Sequence, residues 1–483
     1  MKNSVKQKAT KSLVWSFIEK MSVQGVGFFI GLILARLLAP EDYGIIAMLY
    51  IFIAVATVFI DGGFSNALIQ NQNRTQIDFS TAFWVNVIVA ILCYLALFIC
   101  APYMAEYFEQ PRLEKVTRVY GLSLVISSLA LVQKSRFYIS YNFKLVAYVS
   151  FVAILISGVI AILMACRGWG VWALVWYNLI LETVRTIGFW IFGKWVPRWE
   201  FSFKSFCGIF SFGSKLLGAN IINVIASNLY TFVVGKFFNA AQLGFYSRGQ
   251  SMAYIIPSNF SNIMTQASYP VLCEVQNNQE KLKEYFVKYV KCSFMLIAPV
   301  MTMLAALASP LVTVILTEKW LPCVPFIQIL AIGYMFDTVM RLNASVINVT
   351  GHSEYSFYAE VLKKIALVGL LMITCHWGII PLTIGLAFYS VVDLMIIGIF
   401  LKIVVGFCFY DELKQIFPYM VFCIVSFYGI KGVMEFIQGQ FLQIFLGVIV
   451  GLLIYILQVL LFQRTFVLSL VDLNKRNENT VLL

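Results

Sequence analysis

Charged residues are scarce in this chain, and histidine is nearly absent. Asp, Glu, Lys and Arg make up 12% of the 483 residues, whereas soluble domains contain about 25% charged residues. So few charges exclude a soluble globular protein, which needs them to cover its surface. The chain has 2 histidines, His352 and His376, too few for a histidine metal cluster. We therefore predict no metal site.

Long polar segments and common catalytic motifs are missing as well. The longest polar loop covers residues 273–288 and has the pattern of a solvated helix. There is no Walker A motif and no C-x-x-C. The 10 cysteines are scattered, mostly within apolar runs, as expected of core residues rather than of a disulfide framework. Because no segment is long enough for a soluble catalytic domain, we predict that the protein is not an enzyme and uses no cofactor.

Hydrophobic residues dominate instead, at 61% of the chain. Apolar runs long enough to cross a bilayer, which takes about 20 residues, occur fourteen times. They lie near 12–38, 43–69, 78–102, 114–139, 146–166, 171–194, 207–236, 242–272, 286–309, 322–350, 356–376, 380–405, 415–436 and 441–463. The first run is too long for a signal peptide and lacks a small-residue cleavage site. The predicted fold class is an all-α polytopic membrane protein with fourteen transmembrane helices.

The distribution of lysine and arginine predicts the orientation. The N-terminus carries Lys2, Lys6, Lys8 and Lys11 before the first span. With the N-terminus inside, the loops on the same side carry most of the other loop cations, as the positive-inside rule requires. An even number of spans returns the C-terminus to the same side. We predict a multi-pass membrane protein with both termini cytoplasmic. Much of the net charge of +12 is this bias, so it indicates no nucleic-acid partner.

A repeat divides the chain into two similar halves. The segment LLAPEDYGII has a looser copy, FFNAAQLGFY, 200 residues later. This offset pairs Gly44 with Gly244 and Asp61 with Ser261. An even number of spans separates the copies, so both halves face the same way, as in transporters built from parallel repeats. The predicted segments are a six-helix lobe at 1–194, a cytoplasmic amphipathic linker at 195–206, a second six-helix lobe at 207–405, and two extra transmembrane helices with a cytoplasmic tail at 406–483.

Polar residues line up on single faces of several predicted spans. The first span carries Ser16, Lys20, Gln24, Gly27 and Gly31, the seventh carries Asn220, and the eighth carries Ser247, Ser251, Tyr254, Ser258, Ser261 and Thr265. Small and hydroxyl residues let membrane helices pack closely, and we favour that interpretation for the two glycines. The eighth span has more polar positions than packing needs, which favours a water-lined cavity.

Charges inside predicted spans each cost about 2.5–3.5 kcal/mol at a helix centre, so each needs a partner or a purpose. Acids and bases one turn apart can pair, as for Glu182 with Arg185, Asp337 with Arg341, and Glu360 with Lys363 and Lys364. Lys215 and Arg248 have no acid within one turn in sequence. Lys20 adjoins Glu19, but consecutive residues point about 100° apart on a helix. Cations of this kind favour an anionic passenger, for which a phosphate or pyrophosphate is a natural counter-charge.

The segments LLAPEDYGIIAM, RGWGVWALV and SFGSKLLGAN resemble the polysaccharide transport branch of the MOP superfamily, which includes the Wzx-type oligosaccharide flippases. The similarity runs from about residue 5 to residue 405. It implies a two-lobed bundle that flips undecaprenyl-pyrophosphate-linked repeat units by alternating access, for O-antigen, capsule or exopolysaccharide synthesis. The implied partners are this lipid-linked oligosaccharide, the membrane, and polymerase and chain-length components of the same pathway.

The resemblance also implies a cationic central cavity built from spans one, two, seven and eight. We assign substrate binding to Lys20, Gln24, Arg136, Lys215, Asn220, Arg248 and Ser258. We assign ion coupling or a cavity charge to Asp61, Asp337 and Arg341.

Two alternative functions stay open. A multidrug or cation antiporter of the same superfamily would be expected to expose acids, rather than lysines, to cationic drugs. A membrane polysaccharide polymerase would need a sizeable outer loop with catalytic residues, and no loop here is long enough.

Overall fold

The computed structural model describes Trp15, residues 23–466 and Leu468, except for the side chains of Phe212, Lys215 and Leu216. Within these residues all regular structure is helical, as predicted. The helices are α1 (Val23–Leu37), α2 (Pro40–Asp61), α3 (Phe64–Gln70), α4 (Gln76–Tyr107), α5 (Pro111–Tyr120), α6 (Leu122–Ile139), α7 (Phe143–Cys166), α8 (Val171–Gly193), α9 (Phe203–Phe237), α10 (Ala240–Glu274), α11 (Gln279–Ala306), α12 (Ala308–Ile315), α13 (Val324–Tyr334), α14 (Asp337–Val349), α15 (Ser353–Thr374), α16 (Ile379–Val405), α17 (Phe409–Glu435) and α18 (Gln440–Phe462).

Ten helical segments in the described part are long and apolar enough to cross a membrane. The remaining four predicted spans also fall on helices, namely α1, α8, α10 and α15. The described part of α1 is short, whereas α8, α10 and α15 carry charged or hydroxyl residues that lower their hydropathy. The predicted class, an all-α polytopic membrane protein, is confirmed. The polar helix predicted within 273–288 is also present, as the first part of α11.

Several predicted spans are interrupted helices, among them 43–69, 114–139 and 322–350, which the apolar pattern did not reveal. The span at 43–69 breaks between α2 and α3, where Gly62 and Gly63 have φ angles of +50° and +73°. Glycine has no Cβ and adopts this left-handed conformation without strain, so it ends the helix. The span at 322–350 breaks at residues 335–336, between α13 and α14. The Gly-Gly pair is a recognisable sequence signal for the first of these breaks.

The chain forms two compact units that divide between Ser247 and Arg248. In the first unit α2 packs on α9, α6 on α4 and α8, and α7 on α8. In the second unit α11 packs on α17, α15 on α16, and α17 on α18, around a core that contains Phe286, Phe294 and Tyr419. These units follow packing rather than sequence repetition, because α9 lies against α2, α3 and α4. The segment boundaries inferred from the repeat stay a prediction.

The helices that carry the two copies of the repeat, α2 and α10, begin in similar ways. Pro40 occupies the first position of α2, and Asp42 Oδ2 accepts the backbone N–H of Ala39 at 3.1 Å. Before α10, Asn239 Oδ1 accepts the backbone N–H of Gln242 at 2.8 Å. In both cases a side-chain oxygen satisfies a backbone donor that the start of a helix leaves without a partner.

Gly44 and Gly244 let the two copies touch within the first unit. A Cβ atom added to Gly44 would overlap the carbonyl group of Ala240, and one added to Gly244 would overlap the carbonyl group of Pro40. The contact is therefore reciprocal, as a two-fold relation between the copies would produce. Both glycines lie near the N-terminal ends of their helices, α2 and α10.

We expect Gly44→Ala to lower the melting temperature of the detergent-solubilised protein. The added methyl group would force α2 and α10 apart, and overpacking of this kind costs about 1–3 kcal/mol. Gly369→Ala is the matched control, because no atom lies within 4 Å of a Cβ added at this position of α15. Helix propensity alone should make the control neutral or slightly more stable. Equal melting temperatures for the two variants would show that the glycine contact is not required.

The segment that joins α8 to α9, residues 194–202, has no regular secondary structure. We call it the strap. Side chains of α4 and α6 hold its backbone: Trp84 Nε1 donates to Arg198 O at 2.9 Å, and Gln133 Nε2 donates to Trp195 O at 2.7 Å. Arg198 N in turn donates to Ser80 Oγ at 3.0 Å. The strap is thus fastened to the first unit.

Candidate functional site

A polar network occupies the start of α14 in the second unit. Asp337 is the first residue of α14, directly after the break at residues 335–336. A carboxylate is favoured there because backbone N–H groups at a helix N-terminus carry partial positive charge. Arg341, one turn later, donates from Nε to Asp337 Oδ2 at 2.9 Å. This intrahelical pair is the one that the sequence predicted.

The network continues onto α10. Ser261 Oγ donates to Asp337 Oδ2 at 2.8 Å, and Ser261 is fully buried. Arg341 Nη2 donates to Tyr254 OH at 3.0 Å, and Nη1 to Asn262 Oδ1 at 3.4 Å. Part of the polar stripe on α10 therefore serves helix packing. The Arg341 side chain nevertheless keeps 38% of its surface exposed, so its guanidinium can bind an anion while Asp337 holds it in place.

A separate cavity of about 390 Å³ lies in the first unit between α2, α3, α6 and α8. It is lined by charges of both signs, namely Asp61, Lys134, Glu182 and Arg185. Asp61 accepts a hydrogen bond from Ser65 Oγ at 2.7 Å. Arg185 Nη1 donates to Glu182 Oε1 at 2.8 Å, as the sequence predicted. We call this space the Asp61 cavity.

The predicted repeat pairs one helix of the Asp61 cavity, α2, with one helix of the Arg341 network, α10. The 200-residue offset pairs Asp61 on α2 with Ser261 on α10. In each unit an acid also lies beside an interrupted span, because Asp61 precedes Gly62 and Asp337 follows the break at 335–336. Interrupted membrane helices of this kind recur at transporter binding sites, where backbone groups become available to ligands.

The other predicted site residues are more dispersed. Gln24 on α1 and Asn220 on α9 are exposed. Ser258 is half-buried, and its hydroxyl donates to the backbone O of Ile255 at 3.2 Å. Arg248 is half-buried on α10. Arg136 lies on α6 but does not line the Asp61 cavity.

Two predicted cations cannot be compared with the structure. Lys20 lies outside the described residues. Lys215 belongs to α9, but its side chain is outside the described part.

A buried ion pair between α15 and α16 escaped the sequence analysis. The predicted contacts of Glu360 with Lys363 and Lys364 are present, at 3.3 and 3.7 Å. Lys363 also lies 2.7 Å from Asp393 Oδ1 on α16. The signal for a pair within one helix is its spacing, whereas a pair between helices leaves no trace in a single sequence.

The fold and these polar regions define a class, a polytopic α-helical membrane protein with a polar network beside an interrupted span in each unit. Among the described residues, no group of three or more His, Cys, Asp or Glu is arranged to hold a metal ion. The family model described as "Polysaccharide biosynthesis protein" matches residues 33–325, more than half of the chain. The chain therefore belongs to this family.

Individual relatives agree with this assignment. Lipopolysaccharide biosynthesis protein WzxC of Escherichia coli (strain K12) is 24% identical over 400 residues, which cover 81% of this chain and 80% of that protein. Succinoglycan biosynthesis transport protein ExoT of Rhizobium meliloti (strain 1021) is 23% identical over 489 residues, covering 96% and 95%. The structure of lipid II flippase MurJ in an inward closed conformation matches with a TM-score of 0.73 at 15% identity, covering 94% of this chain and 100% of that one. It shares the fold.

Proposed function

We propose that the protein is a flippase. It moves undecaprenyl-pyrophosphate-linked oligosaccharide repeat units across the bacterial inner membrane by alternating access, for O-antigen, capsule or exopolysaccharide synthesis. Membership of the polysaccharide biosynthesis family supports this pathway. The observation that carries the proposal is Arg341, a guanidinium in a membrane-spanning segment that is held by Asp337 and still exposes 38% of its surface. A planar guanidinium binds phosphate oxygens in pairs, so it suits a pyrophosphate head group.

Further roles belong to the same proposal. Lys20, Lys215 and Arg248 would contact the pyrophosphate from spans one, seven and eight. Asp61 would supply an ion-coupling or compensating charge in the first unit. Both termini would be cytoplasmic, and polymerase and chain-length components of the pathway would receive the flipped repeat unit.

Transport explains the distribution of polar groups better than the alternatives do. A charge inside a span is expensive, so it is retained for a function or for a partner. A drug-cation antiporter would need a surplus of acid, whereas the Asp61 cavity is lined by two acids and two cations. A polymerase would join repeat units that had already crossed the membrane, so it would not need to carry them across.

The test follows repeat units in cells that lack the gene. We expect labelled lipid-linked repeat units to accumulate on the inner leaflet and surface polymer to disappear, with both restored by the wild-type chain. Leaflet exposure is scored with a membrane-impermeant sugar-oxidising reagent. Repeat units that reach the outer leaflet without being polymerised would indicate a polymerase. Unchanged surface polymer with altered drug sensitivity would indicate an antiporter.

A further inference from the structure

A second, smaller cavity in the first unit is lined by two arginines. It has a volume of about 330 Å³ and lies at the C-terminal end of α6. Its lining residues are Arg74, Phe79, Gln133, Arg136, Phe137, Ile139, Ser140 and Gly193, and none of them is acidic. Ligand pockets commonly measure about 300–1,000 Å³, so the space suits a small polar group.

Within the described part of the chain, no carboxylate forms an ion pair with either guanidinium. Arg74 Nη1 donates to the backbone oxygens of Asn71 at 2.8 Å and Ile69 at 3.4 Å. The Arg136 guanidinium lies over the rings of Trp195 and Phe79, 5.5 and 5.8 Å from their centroids. The ion pairs of the described residues include neither arginine. The C-terminal dipole of α6 supplies only about half a negative charge.

Two buried polar atoms at the cavity have no hydrogen-bond partner among the residues that the structure describes. Arg136 Nη1 is buried and makes no hydrogen bond. Gln133 is fully buried; its Nε2 donates to Trp195 O, and its Oε1 makes no hydrogen bond. A buried polar atom without a partner costs about 1–3 kcal/mol, so a ligand that supplied an acceptor for Arg136 and a donor for Gln133 would be stabilised here.

We propose that this cavity binds a phosphate ester or phosphate ion, held by Arg74 and Arg136. Phosphate oxygens accept hydrogen bonds from guanidinium groups. A hydroxyl on the phosphate, or on a glycerol attached to it, would donate to Gln133 Oε1. The same chemistry is offered by an anionic phospholipid head group and by free phosphate.

This site is distinct from the Asp61 cavity, because the two lie on different faces of α6. Lys134, Ser135 and Tyr138 line the Asp61 cavity, whereas Gln133 and Arg136 line the arginine cavity. Gln133 and Arg136 also contact Trp195 of the strap. A bound phosphate would therefore reinforce the attachment of the strap, whether or not the proposed transport function holds.

The experiment compares binding to the purified full-length chain and to two variants. Native mass spectrometry measures retention of phosphatidylglycerol and of phosphatidylcholine, and thermal unfolding measures stabilisation by inorganic phosphate without lipid. We expect Arg136→Gln to weaken binding of the anionic ligand about tenfold, the effect of one lost charge-assisted hydrogen bond. Arg198→Gln is the matched control, because Arg198 lies on the strap with a largely exposed side chain and does not line this cavity.

The lipid-retention and phosphate-stabilisation measurements together identify the source of the phosphate. Loss of phosphatidylglycerol retention alone would support a lipid head group, and loss of stabilisation by phosphate alone would support a free anion. Arg74→Gln should give the same result as Arg136→Gln, and it replaces that variant if Arg136→Gln does not elute as a single species in size-exclusion chromatography. Wild-type binding of both ligands by Arg74→Gln, or by a folded Arg136→Gln, would overturn the proposal.

Discussion

Asp393→Ala should destabilise the protein by about 3–5 kcal/mol, the usual cost of leaving one member of a buried ion pair alone. Asp393 lies 2.7 Å from Lys363, and the two side chains are only 14% and 5% exposed. Without Asp393, the ammonium of Lys363 stays buried between α15 and α16 with only a peripheral acid nearby. The measurement is the free energy of unfolding in mixed micelles.

Glu360→Ala provides a control on the same lysine. Glu360 lies 3.3 Å from Lys363 but is 51% exposed, and exposed pairs contribute only about 0–1 kcal/mol. The double variant Lys363→Met with Asp393→Leu should recover most of the lost stability, since apolar replacement of a whole buried pair is often neutral or favourable. If Asp393→Ala and Glu360→Ala lose the same amount, burial does not determine the strength of this pair.

Arg341→Gln should reduce export of repeat units about tenfold or more, because a charge-assisted hydrogen bond to the passenger contributes about 1.5–3 kcal/mol. Stability should change less, because the guanidinium is partly exposed. Arg341→Lys should retain part of the activity, since the charge remains but the paired donors are lost. The measurement is polymer at the cell surface, normalised to the amount of membrane-inserted protein.

Arg118→Gln is the matched control for Arg341→Gln. Arg118 pairs with Glu114 at the same i,i+4 spacing and the same distance of 2.9 Å, and its side chain is 36% exposed. It lies on α5, does not line the Asp61 cavity, and makes none of the hydrogen bonds of the Arg341 network. We expect normal export from this variant. Equal losses for the two variants would show that an i,i+4 arginine pair matters only for folding.

Several site features could be predicted because their cause is local in sequence. The pairs Glu182–Arg185 and Asp337–Arg341 form because residues three or four apart lie on one helix face. The partners of Ser261 could not be predicted in this way. A hydroxyl stripe on α10 is compatible both with a water-lined cavity and with close helix packing. Ser261 serves packing because its hydroxyl donates to Asp337 on α14. The location of Arg136 could not be predicted either. The sequence shows that the residue is a cation within a span, but it does not show which face of α6 lines which cavity.

Composition and apolar run length by themselves determined that the chain is a bundle of membrane-spanning helices, because a bilayer requires backbone hydrogen bonds to be satisfied within each span. The 200-residue offset likewise matches Gly44 to Gly244, which contact each other's helix in the fold. Only the tertiary structure decided that Lys363 pairs with Asp393, that Arg341 reaches α10, and that Arg74 and Arg136 share a cavity. These contacts join residues far apart in sequence, and their energies depend on burial and on the facing helix. Both the burial of a side chain and the identity of the helix it faces are set only when the helices pack.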